Sequence, residues 1–234
     1  MKAVKGIITG SEMISPTYMT FFAGFLALSG STLITLLGSL TERAKTNTYL
    51  RGALISETCV NVIAGFTYMY FIKYLYEKSI ELKDITSVRY LDWMLTTPLL
   101  LFSYALFAHY ANDKDGKGDK IDLVPLIYII ILNLGMLVFG FLGEIKKIGK
   151  WTGLIGGFIC YGIMMYFLYE KYTKDKNGDA LFIIFATVWA LYGVSYLLDV
   201  KYKNIAYNFL DIISKAGFGI LIYITVMLEG PGTT

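Results

Sequence analysis

The sequence predicts an all-α membrane protein, a bundle of seven transmembrane helices, from three observations. Hydrophobic residues make up 56% of the 234 residues and charged residues 17%, whereas a soluble domain has about 25% charged residues. Seven apolar stretches each approach the roughly 20 residues that cross a bilayer. The segments that connect them are short and polar, and none has room for another folded unit. We therefore predict one domain, residues 1–234, that spans the lipid bilayer seven times.

The predicted spans follow one another closely: 16–40, 52–76, 86–110, 121–143, 150–171, 179–199 and 205–228. Ahead of the first span, residues 1–18 lack an apolar core followed by a cleavage site, so we predict no removable signal peptide. The chain is expected to insert through its first span. Basic residues are divided almost equally between the two sides, and the positive-inside rule therefore does not orient the chain.

Several classes of function are disfavoured by what the sequence lacks. A net charge of +3 without a basic stripe interleaved with aromatic residues argues against nucleic-acid binding. The chain has no HExxH, Cys/His cluster, phosphate loop or GxSxG, so we predict neither an enzyme nor a metal site. Cys59 and Cys160 lie in apolar spans and are expected to stay unpaired. His109, at the end of the third span, is expected to be a solvated interfacial residue.

Four ionisable side chains lie inside spans, where each costs about 2.5–3.5 kcal/mol at a helix centre. Arg89, Asp92 and Thr96 are spaced i, i+3 and i+7 on the third span, which places them on one face. Asp211 and Lys215 are spaced i and i+4 on the seventh span and also share a face. Two acids and two bases are tolerated there only if the two spans pack so that the charges meet. This predicts a buried charge cluster that either fixes helix register or marks an ion or proton pathway.

Lys215 lies too deep in its span for its ammonium to reach either interface. A desolvated lysine amine can condense with an aldehyde to form a Schiff base, and nearby carboxylates then stabilise the protonated form. Asp92 and Asp211 would be the counterions of that cation. The alternative is a seven-span transporter without a chromophore, in which the same cluster is structural.

The segments RYLDWMLTTPLLL (89–101) and LDIISK (210–215) closely resemble the third and seventh helices of the microbial (type 1) rhodopsins. The resemblance extends over all seven spans. It implies that all-trans retinal is bound inside the bundle as a Schiff base to Lys215. It also implies that Asp92 is the primary counterion and proton acceptor, and that Asp211 is the second counterion. The composition, rich in lysine, isoleucine and asparagine, resembles that of rhodopsins carried by large algal viruses.

The same resemblance implies a retinal pocket and an arrangement in the membrane. Its wall is expected to contain Trp93, Thr97, Leu100, Met136, Gly140, Trp189, Tyr192 and Tyr196, the last standing where the family usually has tryptophan. The N-terminus is expected outside and the C-terminus in the cytoplasm. The family commonly forms homo-oligomers, so a trimer or pentamer is expected.

Two departures from the family pattern affect this pocket. Gly193 stands where the family has a proline that kinks the sixth helix, so we expect a softer bend or one that relies on glycine. Glycines at 153, 156 and 157 occupy the region of the fifth span where a tryptophan often covers the retinal ring. We expect a roomier pocket, or one that opens sideways to lipid.

The family's pump signature is read at Asp92, Thr96 and Ser103, which form a D-T-S pattern. Ser103 lies roughly 16 Å from Asp92 along the helix axis. It stands where outward proton pumps of the family carry the carboxylate that returns a proton from the cytoplasm. A hydroxyl has no proton that titrates near neutral pH, so another group must return it.

Glu57 is the candidate for that group, because it shares one face of the second span with Asn61, Ala64 and Tyr68. An interfacial glutamate, hydrogen-bonded near the start of its helix, is the equally weighted alternative. At the outer end, the paired glutamates that release protons in some family pumps find no match, since Lys201 and Lys203 stand near those positions. Release is therefore expected to be late or to pass directly through the Arg89 region.

The first predicted function is a light-driven outward proton pump. Asp92 would accept the proton, Thr96 would hydrogen-bond the Asp92 carboxylate, and Arg89 would carry the charge change outward. The second is a light-gated cation channel, because the polar second span and the missing donor would suit a hydrated path. The third is a photosensory rhodopsin, which would need a partner protein. The transported species would be protons or cations.

Overall fold

The structure, a computed structural model, describes residues 15–112, 120–173 and 176–228, without the side chains of residues 176 and 177. The expectation about a signal peptide concerns residues outside these ranges, as do several of the basic residues counted above. Every regular element within the described ranges is a helix, and they contain no strand.

The described ranges contain nine α-helices: α1 (Pro16–Ser39), α2 (Glu42–Thr46), α3 (Thr48–Tyr76), α4 (Leu82–Asn112), α5 (Val124–Glu144), α6 (Lys150–Leu168), α7 (Lys176–Ser195), α8 (Val200–Asp211) and α9 (Phe218–Leu228). A π-helical turn, Tyr169–Thr173, extends α6, and a second, Ile212–Gly217, joins α8 to α9. Apart from the short connecting helix α2, these elements coincide with the seven predicted spans. The predicted seven-helix fold is confirmed.

Among the described helices, six are long and apolar enough to cross a membrane: Pro16–Ser39, Leu82–Asn112, Val124–Glu144, Lys150–Thr173, Gly178–Ser195 and Val200–Leu228. The remaining long helix, α3, has 29 residues but does not reach the same hydropathy. Buried polar side chains, including Glu57 and Asn61, account for the difference. The chain is a multi-pass integral membrane protein whose second span carries polar groups into the bundle.

Local signals in the sequence explain where the first two spans begin. Ser15 caps α1, with its hydroxyl accepting the Tyr18 N–H at 3.4 Å, and Pro16 follows at the first helical position, where its missing N–H costs nothing. Asn47 caps α3, with Oδ1 accepting the N–H groups of Tyr49 and Leu50 at 3.1 Å each. These caps satisfy backbone donors that a helix start leaves unpaired.

The helices form a closed ring in which α1 packs on α3, α3 on α4, α4 on α5, α5 on α6, α6 on α7, α7 on α8, and α8–α9 back on α1. We call the end of the bundle where α1 begins the N-terminal face and the end where α9 finishes the C-terminal face. The largest buried apolar cluster, which includes Leu54, Tyr104, Phe218 and Ile222, lies toward the C-terminal face. The four charged residues predicted within the spans lie outside this cluster, in the middle of the bundle, where the ring of helices encloses them.

Candidate functional site

The structure brings the predicted intramembrane charges together at the centre of the bundle. The Lys215 Nζ lies 2.5 Å from Asp92 Oδ2 and 3.3 Å from Asp211 Oδ1. Asp211 Oδ2 in turn lies 3.2 Å from Arg89 Nη1. No side chain of the four is more than 2% exposed. Such charges are tolerated in a low-dielectric interior only as a paired set, which is what these distances provide.

Lys215 lies in the π-helical turn Ile212–Gly217, a feature that the sequence did not signal. A π-turn inserts one extra residue and disturbs the regular backbone hydrogen bonding. The carbonyl oxygen of Ala216 accepts a hydrogen bond from the Ser31 hydroxyl of α1 at 3.1 Å. This contact ties the lysine-bearing turn to the neighbouring helix.

The two carboxylates beside Lys215 have different surroundings. Asp211 accepts from the Tyr192 hydroxyl at 2.8 Å through Oδ1, and from the Tyr68 hydroxyl at 2.8 Å and Arg89 Nη1 at 3.2 Å through Oδ2. Among the residues that the structure describes, the Asp92 carboxylate accepts from Lys215 Nζ and from one hydroxyl at 3.3 Å. Hydrogen bonds to the ionised form favour that form. Asp211 is therefore the better stabilised anion, and Asp92 is the carboxylate more readily protonated.

The hydroxyl bound to the Asp92 carboxylate is that of Thr67 on α3, whose Oγ1 lies 3.3 Å from Oδ1. Thr96 instead donates to the backbone carbonyl oxygen of Asp92 at 2.9 Å. The prediction that Thr96 bonds the carboxylate is therefore wrong, because its hydroxyl is taken by the preceding helical turn. Thr67 was missed because nothing in its local sequence links it to the third span.

A large cavity leads to the lysine from the α5–α6–α7 side of the bundle. Its empty volume is about 790 Å³, which includes open solvent, and Lys215 lies on its wall. All eight residues predicted for the pocket wall line it: Trp93, Thr97, Leu100, Met136, Gly140, Trp189, Tyr192 and Tyr196. Besides glycines, seven lining residues were not predicted: Tyr90, Leu137, Leu154, Phe158, Tyr161, Tyr207 and Ser214. An elongated apolar molecule with an aldehyde end fits this arrangement of aromatic walls and a buried amine.

The glycines of the fifth and sixth spans shape this cavity in two ways. Gly153 and Gly157 line it directly. Gly156 instead faces α5, where a Cβ would lie 2.5 Å from the Phe139 ring. Helix α7 continues through Gly193 to Ser195, and a Cβ at Gly193 would lie 2.6 Å from the Phe158 ring. The small residue at 193 thus accommodates an aromatic ring from α6 that closes part of the pocket.

Polar contacts hold two members of the wall. The Thr97 hydroxyl accepts from Asn133 Nδ2 at 2.7 Å, which links α4 to α5. Tyr196 passes the pocket and points its hydroxyl at the carbonyl oxygen of Lys150, 3.4 Å away. Glycine at 143 leaves room for that hydroxyl. The tyrosine therefore connects the ends of α5, α6 and α7 at the N-terminal face.

Glu57 lies on the side of Lys215 that faces the C-terminal face, and its side chain is fully buried. Neither of its carboxyl oxygens has a hydrogen-bond partner among the described residues. Ser103 faces it from α4, yet the Ser103 hydroxyl donates to the carbonyl oxygen of Ala53 at 3.2 Å. The alternative of an interfacial, hydrogen-bonded glutamate does not match this placement.

At the N-terminal face, Lys203 forms a buried ion pair with Glu144, at 2.9 and 3.1 Å from its two oxygens. The sequence predicted the lysine near this place but not its partner, which lies 59 residues away. His109 differs from its prediction, since its Nε2 is buried and its ring packs on Tyr49 at 4.3 Å between centroids. Cys59 and Cys160 are free thiols.

The chain is similar to known proteins over most of its length. The family model for bacteriorhodopsin-like proteins matches residues 17–228. A green-light absorbing proteorhodopsin from Gamma-proteobacterium EBAC31A08 is 28% identical over 194 residues, which cover 74% of this chain and 75% of that protein. Sensory rhodopsin-2 from Haloarcula vallismortis is 27% identical over 161 residues, 60% of this chain and 63% of that protein.

A solved structure resembles the whole bundle. The crystal structure of viral rhodopsin OLPVRII has a TM-score of 0.83 and 30% identity, and the match covers 93% of this chain and 100% of that one. Because the family model matches most of the chain and this neighbour matches nearly all of it, the chain belongs to the bacteriorhodopsin-like family and is a microbial rhodopsin that resembles viral ones.

Proposed function

We propose that this rhodopsin is a light-driven outward proton pump, not an enzyme, in which Asp92 accepts the proton held at Lys215 Nζ. The observation that carries the proposal is the 2.5 Å contact between Lys215 Nζ and Asp92 Oδ2 inside a buried cluster. A donor and an acceptor at hydrogen-bonding distance, isolated from water, are what directed proton transfer requires. The family includes proteins named as proton pumps and as sensory rhodopsins, so family membership does not distinguish these two functions. The choice of a pump for this chain is based on the arrangement of its own residues.

All-trans retinal, joined to the Lys215 amine as a Schiff base, would supply absorption of visible light and an isomerisation that displaces Nζ. The chain's residues fit this cofactor: Trp93 and Trp189 wall the cavity, and Lys215 lies on it. The indole N–H groups of both tryptophans have no partner among the described residues. Apolar walls exclude water from the amine, which strengthens its pairing with the carboxylates.

The difference between the two carboxylates favours Asp92 as acceptor and Asp211 as permanent anion. Protonating Asp211 would leave the Arg89 guanidinium without its anion and would turn one carboxyl oxygen into a donor, facing one of the two buried hydroxyls that now donate to Asp211. Protonating Asp92 disturbs only one hydroxyl contact besides the lysine. The proton therefore moves from Lys215 Nζ to Asp92. This step carries it toward the side of the bundle on which Arg89 lies.

Return of the proton is assigned to Glu57. Its carboxyl group is buried and lacks a bond to another charged group, so the neutral, proton-carrying form is the one the site favours. Asn61, one turn further along α3, donates to the Glu57 carbonyl oxygen at 2.8 Å and lies beside Gly219 of α9. Gly219 is one helical turn from Lys215, so Asn61 lies between the carboxyl and the lysine. The Asn61 Oδ1 is unpartnered and is available to order a water.

The packing toward the C-terminal face favours a pump over a channel. Tyr104, Phe218 and Ile222 are buried in the large apolar cluster that surrounds this half of the bundle. A channel needs a continuous hydrated path, whereas a pump must keep one side closed while the other is open.

By resemblance, the N-terminal face lies outside, the C-terminal face is cytoplasmic, the chain is one domain over residues 1–234, and the protein assembles as a trimer or pentamer.

Light should acidify an unbuffered suspension of cells that express the protein with retinal, and a protonophore should abolish the signal. Both follow from net movement of protons from the cytoplasm to the outside. The measurement uses a pH electrode and cells carrying an empty vector as control. A photocurrent that reverses at an ion equilibrium potential would instead support the light-gated channel. Absence of any current or pH change in a coloured protein would support a sensor.

Glu57→Gln should slow the recovery of the initial absorption after a flash by about 100-fold, because a positioned general acid contributes roughly 10²–10⁴-fold to a proton transfer. The amide keeps the size of the side chain but carries no acidic proton. Flash photolysis at neutral pH measures the recovery. Glu77→Gln, at the exposed end of the same helix, is the matched control. Equal recovery times in the two variants would exclude Glu57 as the donor.

A further inference from the structure

Two asparagines on α8 contact the Arg89 guanidinium from the side away from Lys215. Asn204 and Asn208 are one helical turn apart and both are fully buried. Arg89 Nε donates to Asn204 Oδ1 at 3.2 Å, and Nη2 donates to Asn208 Oδ1. Neither residue is signalled by the local sequence, because asparagines near the start of a span are unremarkable without their partner.

Both asparagines are themselves held in place by neighbouring helices. Asn204 Nδ2 lies within hydrogen-bonding distance of the Val200 carbonyl at 2.9 Å, the Leu82 carbonyl at 3.2 Å and the Thr86 hydroxyl at 3.3 Å. Asn208 Nδ2 donates to the Thr20 hydroxyl of α1 at 2.8 Å. These contacts fix each amide so that its oxygen, and not its nitrogen, faces the guanidinium. The two asparagines form a prearranged acceptor pair.

Around Arg89, the only anion that pairs with it at salt-bridge distance among the described residues is Asp211. The other contacts are neutral: the Tyr68 hydroxyl at 3.3 Å, the two amide oxygens, and the rings of Phe21, Phe71 and Tyr207. The partly buried carboxylate of Glu144 at this end is paired with Lys203. The outward side of the guanidinium therefore meets neutral oxygens and aromatic faces.

We propose that Asn204 and Asn208 are positioning residues that hold the Arg89 guanidinium against Asp211 in the dark and thereby keep Asp92 ionised. The inference rests on the proposed function of the cluster and adds the groups that fix its cation. Neutral amide oxygens bind a guanidinium less strongly than carboxylates do. The pair thus orients Arg89 while the cluster is charge-balanced, and it lets Arg89 move once Asp92 gains a proton.

The direction of the effect follows from the charges near Asp92. Those that face it are Lys215 and Asp211 on the last span and Arg89 on its own helix; Thr67 contributes a hydroxyl from α3, and the Tyr68 and Tyr192 hydroxyls bind Asp211. If the asparagine oxygens are removed, the guanidinium loses the contacts that hold it in the cluster. A cation that spends less time near Asp92 stabilises its anion less. Asp92 should then become protonated at a higher pH.

The test is a pH titration of the visible absorption band of the retinal-reconstituted protein in the dark. Protonation of Asp92 shifts the band to longer wavelength. Asn208→Leu and Asn204→Leu should each raise the pH midpoint of this shift by about one unit or more, as expected for loss of a hydrogen bond to a charged group. Thr35→Val, at a buried hydroxyl of α1 that bonds within α1 and to Thr58, is the control and should leave the midpoint unchanged.

Unchanged midpoints in both leucine variants would overturn the inference. If those variants do not form pigment, Thr20→Val decides, because it removes the hydroxyl that anchors Asn208 and whose other contact is with the Thr17 carbonyl oxygen of the same helix. A smaller rise of the midpoint in Thr20→Val supports the inference, and no change overturns it. Failure of the proposed function is distinguishable, because it would appear as absence of light-driven acidification by the unsubstituted protein, whereas this inference is measured by the dark titration alone.

Discussion

Lys215→Ala should abolish the visible absorption of the protein after addition of all-trans retinal, a loss of at least about 100-fold in band intensity. The expected cause is the removal of the buried amine that lines the aromatic cavity and contacts both carboxylates. A covalent imine needs that amine, and no other residue type can replace its chemistry. The measurement is an absorption spectrum, combined with mass spectrometry of the borohydride-reduced protein to detect the retinyl mass on the peptide that contains residue 215.

Lys201→Ala is the matched control for this experiment, because Lys201 belongs to the same span but is exposed. It should retain the full band. A Lys215→Ala protein with an unreduced band, in the absence of an added amine, would contradict the assignment of the attachment site. A retinyl mass on another lysine would contradict it equally.

Asp92→Asn should shift the band to longer wavelength and reduce light-driven proton transport by at least about 100-fold. The amide keeps the shape of the side chain, but it removes the negative charge 2.5 Å from the lysine nitrogen and the oxygen that would accept its proton. A cation that loses a nearby anion is stabilised less in the dark, which narrows the gap to the excited state. Absorption spectra and light-induced pH changes in the same preparation measure the two effects.

Two further variants make the result of Asp92→Asn specific. Asp199→Asn, at an exposed residue just before α8, should change neither the spectrum nor transport. Asp211→Asn should lower the yield of folded pigment, because it leaves the Arg89 guanidinium buried without an anion. Transport that persists in Asp92→Asn would show that another group accepts the proton.

Much of the site could be predicted from helical spacing and from resemblance. The period of 3.6 residues places Asp92 on the same face as Arg89, and Asp211 on the same face as Lys215, without knowledge of the fold. The need to pair buried charges then requires that the two faces meet. The wall residues of the pocket followed from resemblance to the third, fourth and sixth helices of the family.

Contacts between spans that are distant in the chain could not be predicted. Thr67 and Asp92 are 25 residues apart, and Arg89 and Asn208 are 119 apart. Which hydroxyl or amide meets a charge depends on the rotation of each helix about its axis. That rotation is set by packing against its neighbours. The π-turn at Lys215 and the pairing of Lys203 with Glu144 have the same origin.

Seven membrane spans, with two acids and two bases inside them, could be predicted from the amino-acid sequence, because apolar length and helical period are local properties. The tertiary structure was needed to show that Asp211 is surrounded by donors and that Asp92 accepts fewer hydrogen bonds. It was also needed to show that Arg89 faces two asparagine amides and that the Glu57 carboxyl group is buried without a hydrogen-bond partner among the described residues. These depend on side chains from several helices meeting at one point, and short-range sequence patterns do not specify that meeting.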